Sequence, residues 1–302
     1  MLLEKRIPFT YLIKKIRVEL LVVGAYAFGV EILDEFLHIP GLAIPISIPT
    51  FLGVAISLIL TFRINQSYDR WWEARKIWGS IVNDSRSLTR QILTFPSSGT
   101  WDSDKLWDMQ KRVAYRQIAW CFALGESLRG LNPRDNKEAY FSTEDLEFIG
   151  QHNNVPNAIL LLQSRDIEAL HADGVINDYQ QMQLDSTISR LCDWMGMSER
   201  IKGTVFPKLY TITLKFFLYL FVMLLPLGII EYFGVIEAAV MLVICSPFFM
   251  LEKTALHLQD PFENRPTDIS VTAIAKTIEV NIRQMLNEKF EPAKEPENFY
   301  EM

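Results

Sequence analysis

The reading turns on Ala43 to Gly79, AIPISIPTFLGVAISLILTFRINQSYDRWWEARKIWG. Its first half, Ala43 to Phe62, has no charge over 20 residues, the length an α-helix needs to cross the roughly 30 Å of a bilayer's hydrocarbon. The second half is polar and basic. No Pro or Gly falls between Val54 and Trp78, so one helix is expected to run from membrane into water. Val54, Leu58 and Phe62 recur at i, i+4 and i+8 and share a face, and Gly53, Ala55, Ser57 and Thr61 are the small residues between them. Small residues let membrane helices pack closely. Two readings fit: the bulky stripe lines a pore in a symmetric bundle, or it faces lipid while the small residues meet a neighbouring helix. Periodicity alone favours the second. Ser47-Ile48-Pro49-Thr50 reads as the helix start, with Pro49 early enough that its missing N–H costs nothing.

Outward from this stretch, the 302 residues divide between two media, 49% being hydrophobic and 22% charged. Ile16 to Leu33 is apolar apart from Arg17, Glu19 and Glu31 and reads as a first span. Asp34 and Glu35 read as a short acidic outer connection, leading through Ile39-Pro40-Gly41 into the second span. Thr211–Gly234 and Val235–Leu251 are a third and a fourth, with Pro226 and Pro247 predicting kinks. Soluble helices are expected at Tyr68–Phe95, Lys105–Leu128, Ser142–Gly150, Pro156–Ala172 and Asp178–Lys202. The expected divisions are 1–62 with the first two spans, 63–210 as a helical domain, 211–252 with the last two spans, and 253–302. The last holds an amphipathic helix near Val271–Lys289 and a polar tail expected to be disordered. Lys5, Arg6, Lys14, Lys15 and Arg17 precede the first span, Arg63, Arg70, Arg75 and Lys76 follow the second, Lys208 precedes the third and Lys253 follows the fourth. Lys and Arg are missing between spans one and two and between Lys215 and Lys253, which puts both termini and the helical domain in the cytoplasm. The basic N-terminus has no convincing small-residue cleavage site and reads as a retained helix.

Several classes are disfavoured. A net charge of −6 argues against a nucleic-acid partner. Cys121, Cys192 and Cys245 are scattered and read as buried reduced thiols, and His38, His152, His171 and His257 lie far apart. With no HExxH, GxSxG, CxxCH or phosphate loop, no metal, cofactor or enzymatic activity is expected. A hydrolase would need His152 to meet Cys121 or Cys192 in a cleft. Glu73 with Arg75, and Glu199 with Arg200, read as structural ion pairs. Trp71, Trp72 and Trp78 read as interfacial anchors and packing.

Arg70-Trp71-Trp72-Glu73-Ala74-Arg75, with Leu52-Gly53 before it, Trp78-Gly79 after it, and Asp260-Pro261-Phe262 beyond the last span, resembles the bestrophin family, in particular its bacterial branch. The resemblance covers residues 16 to 290. It implies an all-α membrane protein with four transmembrane helices per subunit continuous with a cytoplasmic helical domain. It implies also a homopentamer in the bilayer of the bacterial inner membrane, with five second-span helices around an ion pore. In the family an apolar neck occupies i, i+4 and i+8 of that helix, which falls on Val54, Leu58 and Phe62 and reverses the preference that periodicity gave. A cytoplasmic constriction is implied near Asn177-Asp178-Tyr179, with Tyr179 at the narrow point. Animal members carry an acidic calcium clasp after the last motif, but here Glu263-Asn264-Arg265-Pro266-Thr267-Asp268 places a cation among the ligands, so no calcium activation is expected.

An apolar neck has no groups with which to choose the sign of an ion. Helix N-termini near Pro49 and Thr50 would favour an anion such as Cl-. Asp34 and Glu35, repeated around a pentamer, would favour cations such as Na+ or K+. Vertebrate relatives are anion channels and bacterial relatives resemble monovalent-cation channels, and the visible acidic residues tilt the expectation to cations. A non-conducting membrane-anchored scaffold or sensor is the alternative from another class.

Overall fold

The computed structural model describes residues 9–37, 43–97 and 101–288, except 136, 138, 205, 234 and 235; of the helical residues, the side chains of 9, 12, 34–37 and 231–233 are not among those described. The described residues form α1 (Phe9–Leu37), α2 (Ser47–Thr94), α3 (Ser103–Leu128), α4 (Thr143–Gly150), α5 (Val155–Ala172), α6 (Asp178–Gly203), α7 (Lys208–Phe233), α8 (Glu237–Gln259) and α9 (Val271–Met285), with no strand among them. The chain divides into two compact units, cut at Trp71, Thr204 and Asp260.

The first unit holds α1, the first half of α2, α7 and α8. α1 packs along α8 and against α7, and α7 packs on α8. Their shared core takes Ile16, Val23 and Ala27 from α1, Ile56 and Leu60 from α2, Leu218 and Phe221 from α7, and Met241, Cys245 and Phe249 from α8. Among the described residues three helices, α2, α7 and α8, are long and apolar enough to cross a membrane. α1 is 29 residues long but is interrupted by Arg17, Glu19 and Glu31, so its place among the spans rests on length and on its packing along α8. Glu19 is paired with Lys253 of α8 at 2.7 Å.

Asp34 and Glu35 are corrected from an outer connection to the last turns of α1, which runs to Leu37. Nothing between Gly29 and Pro40 breaks a helix, and charge marks an interface rather than a helix end. Their side chains, the Ile39-Pro40-Gly41 link and the polar tail lie outside the described residues. Pro226 and Pro247 sit inside α7 and α8 without ending either. α2 is one helix of 48 residues, about 70 Å long at about 1.5 Å per residue.

The second unit is built around α3, which packs on α5, α6 and α9. Asp102, Ser142, Asn154 and Asn177 cap α3, α4, α5 and α6 with their side chains, satisfying backbone N–H groups that each first turn leaves open. Arg116 of α3 is buried and ion-paired with both Asp145 and Asp166. Trp78 is fully buried, with a Cβ on Gly125 of α3 only 3.6 Å from its ring. It is therefore a packing residue of this unit and not a membrane anchor. Burial pushes the Cys121 thiol up to about 12, which makes it inert. Cys192 departs from expectation and is exposed, because it falls on the outer side of α6 while Leu191 and Met195 take the inner one.

Candidate functional site

The face of α2 predicted as a neck is left uncovered by the described residues of the protomer. Val54, Leu58 and Phe62 are 66%, 59% and 57% exposed, whereas Ile56 and Leu60 are fully buried. At about 100° per residue the two sets point to opposite sides of the helix. Of the small residues, Gly53 does meet a neighbour, since a Cβ there would lie 3.3 Å from the Phe221 ring. Ser57 and Thr61 instead lie on the exposed side. Their hydroxyls donate to the carbonyls of Gly53 and Ser57 at 2.8 and 2.9 Å, so the polar atoms are satisfied within α2. Past Phe62 the exposed face continues without a break into Asn65, Gln66 and Asp69.

Of the four residues expected at the pore entrance, Pro49, Thr50, Asp34 and Glu35, the side chains of the last two are not among those described. Thr50 is exposed and donates its hydroxyl to the Ile46 carbonyl at 2.8 Å. Pro49 is buried and lies against α7, where a Cβ on Gly228 would come within 2.8 Å of its Cγ. Ile44 donates its N–H to the Leu227 carbonyl at 2.9 Å just beside it. Pro49 thus fixes where α2 starts against α7. Gly228→Ala is expected to cost about 1–3 kcal/mol by overpacking a rigid ring, read as a lowered midpoint in thermal unfolding of the detergent-solubilised protein; an unchanged midpoint would remove Pro49 from this role.

Arg63, next to Phe62, is fully buried and ion-paired with Glu252 of α8 at 3.8 Å. Its Nη2 donates to Thr211 at 3.3 Å, and its guanidinium lies 5.7 Å from the centre of the Phe206 ring. Sequence reasoning counted Arg63 only as a flanking charge. The available signal was Glu252, an opposite charge just past the apolar part of α8.

The motif residues do structural work. Trp71 stacks with Tyr68, ring centres 6.3 Å apart, Trp72 is 45% exposed and Arg70 is half-buried. Glu73 pairs with Arg200 at 2.9 Å rather than with Arg75, and Glu199 accepts from Asn154 at 2.9 Å rather than pairing with Arg200. Residues one or two apart on a helix do not face each other. Asp260 caps the end of α8. Pro261 and Phe262 are buried, with the Pro261 carbonyl accepting from the Ile269 N–H at 3.2 Å.

In the second unit Tyr179 is 79% exposed and lies within the capping box that Asn177 and Gln180 form at the start of α6. The adjacent Asp178 meets His171 at 2.7 Å. The segment after Phe262 has its carboxylates engaged. Glu263 pairs with Lys202 at 2.6 Å, which holds its pKa below the usual value. Asp268 is 1% exposed and accepts the Arg265 N–H at 3.0 Å, and burial pushes its carboxyl up. Among the described residues no three His, Cys, Asp or Glu cluster in a way that could hold a metal. His152 contacts the Phe148 carbonyl at 2.8 Å, and Cys121 sits with Ser85 and Gln117, so the hydrolase arrangement has no support in their contacts.

A model described as "Bacterial/Fungal Bestrophin protein" matches residues 8–284. A voltage-dependent anion channel-forming protein of Ralstonia nicotianae is 28% identical over 265 residues, 86% of this chain and 85% of that protein. The voltage-dependent anion channel-forming protein YneE of Escherichia coli is 31% identical over 255 residues, 84% of this chain and 81% of that one. The crystal structure of a bacterial bestrophin homologue from Klebsiella pneumoniae superposes with a TM-score of 0.81 at 27% identity, covering 91% of this chain and 99% of that one. With matches that run through both units and take in α2 and its motif, the chain belongs to the bacterial and fungal bestrophin family.

Proposed function

We propose that five copies of this chain assemble around the exposed face of α2 into a passive channel for small monovalent ions, with Val54, Leu58 and Phe62 as its apolar neck. The observation that carries this reading is that face itself. It passes from bulky apolar residues to Asn65, Gln66 and Asp69 along one unbroken helix, with no cover from the other described residues. The apolar part suits lipid or a pore alike. The polar part lies past the membrane-spanning run, and its alignment with Val54, Leu58 and Phe62 along one helix is what a continuous pore lining would use. Tyr179, exposed near the start of α6, is the proposed cytoplasmic constriction. Lys and Arg placement supports cytoplasmic termini in a bacterial inner membrane. The chain is not an enzyme, and this reading needs no cofactor.

Cation conduction is the favoured form. Anion conduction is the second reading, supported by the names of the Ralstonia and Escherichia relatives and by the partial positive charge at the α2 N-terminus. Purified full-length protein in liposomes, sized by native mass and assayed for flux under a KCl gradient, tests the assembly and the channel together. Pentamers that pass ions are expected. Folded pentamers that stay silent, also with the neck opened, would instead favour the scaffold.

Calcium has no part in this mechanism. The Glu263 carboxylate is held by Lys202 and that of Asp268 by a backbone N–H, and Arg265 places a positive charge between them. Millimolar calcium on the cytoplasmic side is expected to leave single-channel open probability unchanged in planar bilayers. A reversible, calcium-dependent rise in opening would overturn that expectation.

A further inference from the structure

At about 100° per residue, Asn65 and Asp69 fall in the same sector of α2 as Val54, Leu58 and Phe62. Both are exposed, and Asp69 lies roughly 10 Å past Phe62 along the helix axis. Asp69 takes part in no hydrogen bond or ion pair among the described residues. The cations close to it are turned away from this face. Arg63 is buried against Glu252, and Arg70 is half-buried on another side of the helix. Glu73 is tied to Arg200, and the next exposed charge on the same line is Lys76, about another 10 Å further on. Asp69 is therefore the charge that an ion meets first on leaving the neck.

We propose that Asp69, repeated in each subunit, forms a ring of carboxylates directly beyond the neck and gives the channel its preference for monovalent cations. This rests on the pentameric channel reading above. The neck sets whether water and ions pass but has no sign, so the sign is set by the nearest uncompensated charge. A one-sign ring in a narrow, low-dielectric passage raises the local counter-ion concentration by about 10- to 1,000-fold. It also repels Cl- at the point where a permeating ion has just lost part of its hydration. Asp69 takes over the part that Asp34 and Glu35 play in the sequence argument, where charge at an outer mouth acts from further away and is screened by salt.

The test is the reversal potential of full-length protein in planar bilayers under a KCl gradient. Wild type is compared with Asp69→Asn, Asp69→Glu and Asp69→Lys, each in the native background and in one with Val54, Leu58 and Phe62 changed to Ala. Wild type and Asp69→Glu are expected near the potassium limit. Asp69→Asn is expected to lower the K+ to Cl- permeability ratio by about tenfold, and Asp69→Lys to move the reversal potential towards the chloride limit. Currents with one reversal potential in wild type and Asp69→Asn would overturn the role of Asp69 and leave the channel standing, as would a wild-type potential at the chloride limit. Silence from every folded pentamer, open-neck background included, would overturn the channel and this inference with it.

Discussion

Changing Val54, Leu58 and Phe62 together to Ala is expected to raise ion flux through purified channels by at least about tenfold, which corresponds to removing about 1.4 kcal/mol of barrier. Successive rings of bulky apolar side chains narrow the passage and make it costly for water to fill, and an ion cannot cross a segment that water has left. Alanine at each level widens the passage and lowers the apolar surface that drives dewetting. Because the three side chains are 57–66% exposed in the protomer, their truncation leaves no cavity, and stability should change by no more than about 0.5 kcal/mol per site. Leu60→Ala is the contrast. It removes a fully buried side chain from the same helix and is expected to cost about 2–5 kcal/mol of stability. Liposome flux at matched pentamer concentration, with thermal unfolding of each variant, separates the two effects. If flux stayed level in a triple variant that still forms pentamers, the neck would have to be sought elsewhere.

The face of α2 was legible in the sequence because its signals are local. The i, i+4, i+8 spacing of Val54, Leu58 and Phe62 needs only a helix, and the helix needs only an absence of Pro and Gly through Trp78. Whether that face meets lipid or a pore was not legible, since both readings leave the same residues exposed in one chain. The polar continuation through Asn65 and Asp69 carries weight only once the backbone is seen as a single helix with Ile56 and Leu60 on its opposite side. Helix ends were misjudged where apolarity and helicity part company. α8 runs on from Leu251 to Gln259, and α1 holds Asp34 and Glu35, because a helix leaving the membrane changes composition before it changes conformation. The least legible feature was the pairing of Arg63 with Glu252. Each residue reads alone as a charge flanking an apolar run, and only the packing of α2 against α7 and α8 brings them together.

That pair sets up the second large effect. Glu252→Ala is expected to destabilise the protein by about 3–5 kcal/mol, because it leaves a guanidinium buried with no opposite charge. Arg63 has no exposed side chain surface through which water could compensate, and its bond to the neutral Thr211 hydroxyl and its place over the Phe206 ring supply no opposite charge. Replacing both partners, as in Arg63→Met with Glu252→Met, removes the desolvated charges together and should restore most of the lost stability. The double-mutant cycle, read by thermal unfolding in detergent, should therefore show a coupling well beyond the roughly 0–1 kcal/mol of an exposed pair; additive losses would mean that the two side chains act independently. The pair also bears on conduction. Arg63 follows Phe62 directly in the chain, so a cation freed from Glu252 and swung towards the exposed face of α2 would oppose Asp69. In the double Met variant no such cation remains, and its reversal potential is expected to stay with wild type even though the pair is gone. Neutralising Glu252 alone, in any fraction that still folds, should move the potential towards chloride.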